Sequence, residues 1–313
     1  MTTTLKTYCK GLRLMGNHFE FSVVSDDERW AEAQIDEAIN EVQRIEALLT
    51  TFQPNSQTNQ INSNAGITPI SVDKEVFDLI ERSLRISALT QGAFDITYGS
   101  IDKKLWNFDR TMTTLPDQET AHNLVRLINF RNVLMNHEKQ TVFLKEEGMR
   151  IGFGGIGKGY AADCAKAIMQ KAGATDGVVN AAGDLTVWGK QPDGSAWTIG
   201  IADPNRKLPF ASLQLTDVSV ATSGNYEKYV VIDGKKYSHT IDPRTGYPVH
   251  GIKSVTIICC HAELADAMAT PVMVMGISAG LNLINQMKDI ACIIVDDQDN
   301  IHHSTNINLK NYQ

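Results

Sequence analysis

The chain has 313 residues, which is enough for one large domain or two interleaved lobes with a substantial core. Hydrophobic residues make up 42% of it and charged residues 21%, which is ordinary for a globular protein. The net charge of −7 argues against a nucleic-acid or anionic-membrane partner, because phosphate groups would be repelled.

The first half of the chain predicts two amphipathic helices among short strands. Residues 19–24 have the composition of a strand, and apolar residues then recur at helical spacing over 35–49. The polar stretch 53–60 lacks either periodicity and predicts a loop. A second helix is expected over about 74–89, and a hairpin over 132–145.

The second half alternates strands, hairpins and helices. Single strands are expected near Val178, Leu185, Trp197, Leu213 and Val220, and further strands at 226–232, 236–240, 255–260 and 291–295. Asp233-Gly234 is a strong hairpin signal, and helices are expected at 262–275 and 278–288. This mixture predicts an α+β fold with largely antiparallel sheets and packed helices. No repeat or linker divides the chain, so residues 1–313 are expected to form one domain.

The cysteines and the N-terminus bear on the cellular compartment. The five cysteines are odd in number and show no C-x-x-C spacing, which suits free thiols in a reducing compartment. Residues 1–6 lack the apolar segment of an export signal. No apolar stretch approaches the ~20 residues that span a bilayer. We therefore expect a cytoplasmic protein that does not insert into membranes.

The glycine-rich run 152–159, which leads into a helical stretch, is the most informative motif of the chain. Backbone N–H groups of such a loop and the helix N-terminus can approach a phosphate. As a dinucleotide motif it lacks a well-placed acid about 20 residues on, and as a P-loop it has Gly159 in place of the magnesium-binding hydroxyl. A phosphate loop of another kind and a turn that serves packing only both remain open.

Asp266 and Thr270 are four residues apart on a predicted helix, so their side chains project from the same face. Carboxylate and hydroxyl oxygens are hard ligands that suit magnesium. The alternative is a surface aspartate beside a hydroxyl that bonds back to its own helix. The two residues alone leave both interpretations open.

Other residues also carry a functional and a structural interpretation. His239 ends a strand beside a turn, where it is either a candidate base or an ordinary half-exposed histidine. Arg244 in that turn is either an anion clamp or an ion-pair partner. Phe94, next to Asp95, either stacks on a flat ring or belongs to the core, and the segment 180–184 either forms a tight turn or approaches a ligand closely.

Taken together and in order, these segments resemble the ApbE family, the FAD:protein FMN transferases. The matches span about residues 15–276 and comprise Met15-Gly16, the polar loop with Ser56 and Asn62, Gly92 to Asp95, Gly154 to Tyr160, Asn180 to Asp184, Ser223-Gly224, His239 to Pro248 and Ala265 to Thr270. A fixed order of short matches is more specific than any one glycine pattern. The resemblance implies two interleaved lobes around an FAD cleft.

The resemblance also implies an activity. An enzyme of this family would use magnesium to transfer FMN from FAD, as a phosphoester, to a Thr or Ser hydroxyl of an acceptor flavoprotein with a flavinylation motif, and would release AMP. Two alternatives remain: a magnesium-dependent FAD pyrophosphatase that gives FMN and AMP, and a non-catalytic FAD-binding module.

Roles for single residues follow from the same resemblance. Asp266, Thr270 and the backbone carbonyl of Gly155 would bind magnesium, and His239 would assist proton removal from the acceptor hydroxyl. The residues that would hold FAD are Met15, Phe52, Ala93, Phe94, Asp95, Lys158, Thr240 and Ala269. The chain departs from the family at Gly152, where an aspartate that contacts FAD is common, and at Phe52, where a tyrosine is frequent.

Overall fold

A layer of helices packs on one face of a large antiparallel sheet in the computed structural model, which describes residues 4–101, 114–201, 211–224, 229–232, 234–238 and 240–307. The helices are α1 (Glu28–Leu49), α2 (Gln57–Ser63), α3 (Lys74–Leu89), α4 (Gln118–Val125), α5 (Gly157–Lys171), α6 (Ala262–Met275) and α7 (Ile277–Asn285). Short 3-10 turns span Ile96–Ser100 and Phe130–Asn132. Among the described residues, no helix combines the length and apolar character needed to cross a membrane.

The strands fall into one large sheet and three small ones. Their bounds are β1 (Lys6–Leu14), β2 (Asn17–Ser25), β3 (Ile70–Ser71), β4 (Val133–Asn136), β5 (Thr141–Leu144), β6 (Gly177–Ala181), β7 (Asp184–Trp188), β8 (Trp197–Ile201), β9 (Ala211–Leu215), β10 (Val218–Gly224), β11 (Tyr229–Ile232), β12 (Lys235–Ser238), β13 (Ile252–Cys259), β14 (Ile290–Asp296) and β15 (Ile301–His303). Within the described residues the large sheet has the order β1-β2-β6-β7-β10-β13-β14-β15, with antiparallel neighbours throughout. The expected α+β class is confirmed.

Both faces of the large sheet are covered. On one face α1, α5 and α6 pack against each other and on the strands, and their apolar stripes form the main core with Phe19, Phe21 and Val255. On the other face the antiparallel pair β8 and β9 buries Trp197 and Leu213 against strand residues. The sheet therefore fixes the relative positions of α5 and α6, which carry Lys158, Asp266 and Thr270.

Most of the predicted elements are present near their expected bounds. The apolar stripe over 35–49 lies on α1, whose cap residue Asp27 accepts the Trp30 N–H with its side chain. The helix over 74–89 matches α3, and the hairpin over 132–145 matches β4 and β5. The Asp233-Gly234 hairpin corresponds to β11 and β12, although Asp233 itself lies outside the described residues.

The prediction of a loop over 53–60 is wrong in its second half, where α2 begins at Gln57. The Ser56 hydroxyl accepts the Asn59 N–H at 3.1 Å and so caps the new helix. Thr58 and Ile61 are buried, but a helix of seven residues is too short to show a clear apolar stripe. Strand β1 and helix α4 were not predicted at all; β1 is mostly exposed and lacks strict alternation.

Candidate functional site

A cleft of about 800 Å3 lies beside the glycine-rich run, the C-terminal end of α1 and helix α6. Residues assigned to the site from sequence that line this cleft are Met15, Phe52, Ala93, Phe94, Asp95, Gly155, Lys158, Thr240 and Thr270. Asp266 and Ala269 are buried on α6, behind the lining, and His239 lies outside the described residues. Segments that are distant in sequence therefore meet in one place, while their individual binding roles stay predictions.

The glycine-rich run contains one glycine that faces open space and one that is tightly packed. A Cβ atom added at Gly154 would meet nothing within 4 Å among the described residues. A Cβ atom added at Gly159 would lie 2.1 Å from the carbonyl oxygen of Ala262 on α6. Packing therefore explains Gly159 but not Gly154, which leaves backbone accessible at the cleft.

The start of α5 lies at the cleft, which Lys158 of its first turn lines. The N–H of Gly157, the first residue of α5, donates to the Phe153 carbonyl at 2.7 Å. Within the described part of the chain, the cap residue Ile156 makes no side-chain cap bond. A helix N-terminus beside a glycine-rich loop is a favourable place for an anionic group.

Lys158 is held between two carboxylates. Its ammonium group contacts Asp184, the first residue of β7, and lies 3.5 Å from Oδ1 of Asp266. Burial alone would lower the pKa of Lys158, but the charges of Asp266 and Asp184 raise it above its usual value. The lysine thus keeps its positive charge, and that single charge faces two buried carboxyl groups at the edge of the cleft. The sequence indicated Asp184 only as part of the segment 180–184, which either forms a tight turn or approaches a ligand closely, and not as a partner of Lys158.

Asp266 is a buried carboxylate with one oxygen already engaged. Its Oδ2 accepts the Gly159 N–H at 3.1 Å, and its Oδ1 faces Lys158. Burial raises the pKa of Asp266 to about 7, with Asp184 acting in the same direction and Lys158 against it. One helical turn on, the Thr270 hydroxyl lies 2.9 Å from the Ser223 hydroxyl. The alternative of a surface aspartate beside a hydroxyl bonded to its own helix is therefore wrong, because Asp266 is buried and the Thr270 hydroxyl contacts Ser223.

The chemistry of this oxygen set fits a magnesium ion. Asp266 and Thr270 occupy successive turns of α6, and Gly155 and Thr270 both line the cleft. A carboxylate, a hydroxyl and a backbone carbonyl are the hard ligands that magnesium takes together with water and phosphate oxygens. Because the single charge of Lys158 faces the carboxyl groups of both Asp184 and Asp266, a metal cation at Asp266 can supply further balancing charge.

Asp95 lines the cleft, but its carboxylate holds the surrounding backbone. It accepts the Thr97 N–H at 2.8 Å, the Thr97 hydroxyl at 2.6 Å and the Phe130 N–H at 2.9 Å. Burial raises the pKa of Asp95, while these hydrogen bonds act against that increase. The side chain therefore joins two 3-10 turns, and its neighbour Phe94 is buried at the cleft wall.

The rim of the cleft contains residues that sequence reasoning missed. Phe52 is 93% exposed and was predicted, whereas Glu46, Tyr98 and Arg150 also line the cleft and were not. Arg150 lies two residues before the glycine-rich run, which is the one signal that pointed to it. Glu46 is one of several acidic residues along α1, so nothing in the sequence distinguishes it.

Arg244 follows its structural interpretation. Its guanidinium donates to both carboxylate oxygens of Asp242, at 2.9 and 2.8 Å. The pKa of Arg244 is raised chiefly by that hydrogen-bonded partner. The arginine is an ion-pair partner within its own turn rather than a free anion clamp.

Comparison with known proteins places this arrangement in a family. The ApbE family pattern matches residues 15–294. The protein named FAD:protein FMN transferase of Klebsiella pneumoniae (strain 342) is 30% identical over 293 residues, covering 93% of this chain and 89% of the relative. Its namesake from Escherichia coli (strain K12) is 30% identical over 272 residues, covering 84% and 77%.

Solved structures share the whole fold. The ApbE protein of Thermotoga maritima superposes with a TM-score of 0.85 at 30% identity and covers 96% of this chain and 97% of its own. The flavinyl transferase ApbE of Pseudomonas stutzeri, in its apo form, gives a TM-score of 0.84 at 26% identity, covering 97% and 96%. The chain belongs to the ApbE family.

Proposed function

We propose that this protein transfers FMN from FAD to a Ser or Thr hydroxyl of an acceptor flavoprotein. The acceptor oxygen forms a bond to the phosphorus of the FMN half, the bond from that phosphorus to the bridging diphosphate oxygen breaks, and AMP leaves. The hydroxyl proton passes to a base. Relatives named FAD:protein FMN transferase, at about 30% identity over most of the chain, support this activity.

The observation that carries the proposal is the cleft itself. It combines accessible glycine backbone at the start of α5 with the buried Asp266 and the cleft-lining Thr270 on α6. We assign the FAD diphosphate to this end, near Lys158, and the flavin ring to the part lined by Met15 and Phe94. Backbone donors near a helix N-terminus and a partly buried cationic side chain are suited to anionic oxygens.

Magnesium is proposed to be held by Asp266, Thr270 and the carbonyl oxygen of Gly155. When bound there, the ion would neutralise charge that develops on the phosphoryl oxygens and on the AMP leaving group. Lys158 would place its positive charge near the same phosphoryl oxygens. The hydroxyl of Ser223, on β10, orients the Thr270 hydroxyl. The chain thus supplies a prepositioned charged environment rather than a covalent intermediate.

His239 remains the proposed base on the strength of the resemblance. General-base assistance is typically worth ~10²–10⁴ in rate. His239→Ala should therefore slow transfer by that order while FAD affinity stays unchanged. Transfer at the wild-type rate would show that another group accepts the proton.

One assay separates the proposed transferase from its two alternatives. The protein is incubated with FAD, Mg²⁺ and an acceptor domain bearing a Ser/Thr flavinylation motif, and AMP, free FMN and acceptor mass are measured. AMP together with an acceptor that gains the mass of FMN less water supports the transferase. AMP with free FMN and an unchanged acceptor supports a pyrophosphatase. Intact FAD supports a binding module.

A further inference from the structure

Helices α5 and α6 cap each other. Within the described residues, neither the α5 cap residue Ile156 nor the α6 cap residue His261 makes a side-chain cap bond. Asp266 of α6 instead accepts an N–H from the first turn of α5, through Gly159. In return, Asp163 of α5 accepts N–H groups from the first turn of α6. Each helix thus satisfies first-turn donors of the other with a carboxylate.

The Asp163 half of this exchange uses both carboxylate oxygens. Oδ1 accepts the Ala262 N–H at 3.0 Å, and Oδ2 accepts the Glu263 N–H at 2.9 Å. Burial raises the pKa of Asp163, and the two backbone bonds oppose that rise. A largely buried carboxylate with two amide donors at the positive end of a helix is strongly oriented.

The first turns of α5 and α6 are in close backbone contact, which restricts their movement relative to each other. Gly159 approaches the Ala262 carbonyl so closely that a Cβ atom would collide with it. From the outside, the guanidinium of Arg82 on α3 donates to both carboxylate oxygens of Glu263, at 2.6 and 3.0 Å. The first turn of α6 is therefore held from α5 and from α3.

We propose that Asp163 is a positioning residue for the metal site, and that it sets the affinity for Mg²⁺ by fixing the first turn of α6. This inference rests on the proposed function, because it takes Asp266 and Thr270 as the ligands. Asp266 follows the capped residues by one turn, and its Oδ2 is tied to α5 at the same junction. Release of the first turn would leave Oδ1 of Asp266, the oxygen that faces Lys158, less well placed as a metal ligand.

A role in metal affinity differs measurably from a role in stability alone. Partners that orient metal ligands typically change metal affinity by 10–100-fold when they are removed. A purely structural loss would lower the folded fraction and leave the Mg²⁺ dependence of the remaining folded protein unaltered. Asp163 is not among the residues that line the cleft, so FAD contacts should persist in its variants.

The test compares Asp163→Asn, which keeps one accepting oxygen, with Asp27→Asn as a matched control. Asp27 caps α1 by accepting the Trp30 N–H at 3.1 Å, and the 22-residue helix places it roughly 30 Å from the cleft-lining end. The readouts are the Mg²⁺-induced rise in Tm, the Mg²⁺ concentration for half-maximal turnover, and KM for FAD.

For Asp163→Asn we expect the Mg²⁺ concentration for half-maximal turnover to rise about tenfold and the Mg²⁺-induced rise in Tm to be smaller than in wild type. The KM for FAD should stay within twofold of wild type, and kcat should be restored at saturating Mg²⁺. Asp27→Asn should leave the Mg²⁺ response unchanged, with at most a small fall in Tm, because asparagine is nearly as good an N-cap as aspartate. An Asp163→Asn protein with the wild-type Mg²⁺ response overturns the inference and leaves the proposed function standing. A wild-type protein indifferent to Mg²⁺ overturns the proposed metal site itself.

If Asp163→Asn does not fold, hydrogen exchange of the wild-type protein decides the question. Because coupling between two sites is reciprocal, Mg²⁺ bound at Asp266 should slow exchange of the Ala262 and Glu263 amides. Slower exchange at these amides on addition of Mg²⁺ supports the inference, and unchanged exchange at saturating Mg²⁺ overturns it.

Discussion

Two glycines at this cleft have different roles: one leaves the backbone accessible, and the other allows two backbone segments to pack closely. Gly154 and Gly159 belong to one glycine-rich run, yet only Gly159 is required by packing, against Ala262. The sequence motif alone did not distinguish the two. The difference arises from a contact between α5 and α6 across 103 residues of sequence, and no local pattern reports such a contact.

The two glycines give a matched pair of variants. Gly159→Ala places a methyl group against the Ala262 carbonyl, so the free energy of unfolding should fall by about 2 kcal/mol, although alanine favours a helix by about 1 kcal/mol. Gly154→Ala should change it by less than about 0.5 kcal/mol. Urea unfolding monitored by circular dichroism measures both. Equal stability of the two variants would contradict the close packing of α5 on α6.

Asp95 illustrates a residue assigned to FAD from the resemblance whose carboxylate is engaged with protein groups. Asp95→Asn keeps one accepting oxygen but presents an amide NH₂ to a buried backbone N–H, so stability should fall by about 1–3 kcal/mol. Urea unfolding of Asp95→Asn beside the exposed-site variant Asp26→Asn measures the difference. A loss no greater than that of Asp26→Asn would contradict the role of Asp95 in joining the two 3-10 turns.

At the level of elements, the sequence predicted those with strong apolar periodicity. Helices α1, α3 and α6 and strand β13 were found because their buried faces repeat at 3.6 or form continuous apolar runs. Helix α2 was missed because its start depends on one capping serine, and β1 because an exposed edge strand shows no buried face. These elements are fixed by capping and by pairing with a neighbour.

The hairpin that ends the large sheet depends on a carboxylate. Asp296, at the end of β14, accepts the Gln298 and Asn300 N–H groups, both through Oδ1, and Oδ2 is 2.9 Å from His302 Nε2. Burial opposes ionisation, but these hydrogen bonds hold the pKa of Asp296 below its usual range. A depressed folded-state pKa contributes stability above the unfolded value of about 3.9, and the contribution is lost as pH falls below it.

Asp296→Asn should therefore lower Tm at pH 7, and the difference from wild type should shrink as pH is lowered from about 4 to 2. Thermal unfolding at a series of pH values measures this difference. Lys253→Met provides a control. Lys253 pairs with Asp299, which lies in the same turn, and an ion pair with an exposed carboxylate contributes little to stability. A Tm difference for Asp296→Asn that stays constant down to pH 2 would contradict the account.

For the whole molecule, the order of short motifs predicted more than any single motif did. Nine of the residues assigned from the resemblance line one cleft, and two more are buried behind it on α6. Physical reasoning from the residues left the glycine-rich run and the Asp266–Thr270 pair undecided. The sheet settles their placement because it positions α5 and α6 side by side, which brings together groups more than a hundred residues apart.

The central claim is that this cleft performs metal-dependent FMN transfer through Asp266. The direct measurement is intact mass spectrometry of an acceptor incubated with FAD and the protein, with Mg²⁺, with EDTA, and with Asp266→Asn in place of wild type. The account predicts an acceptor that gains FMN only with wild-type protein and Mg²⁺. An equal gain in EDTA, or with Asp266→Asn, would contradict it.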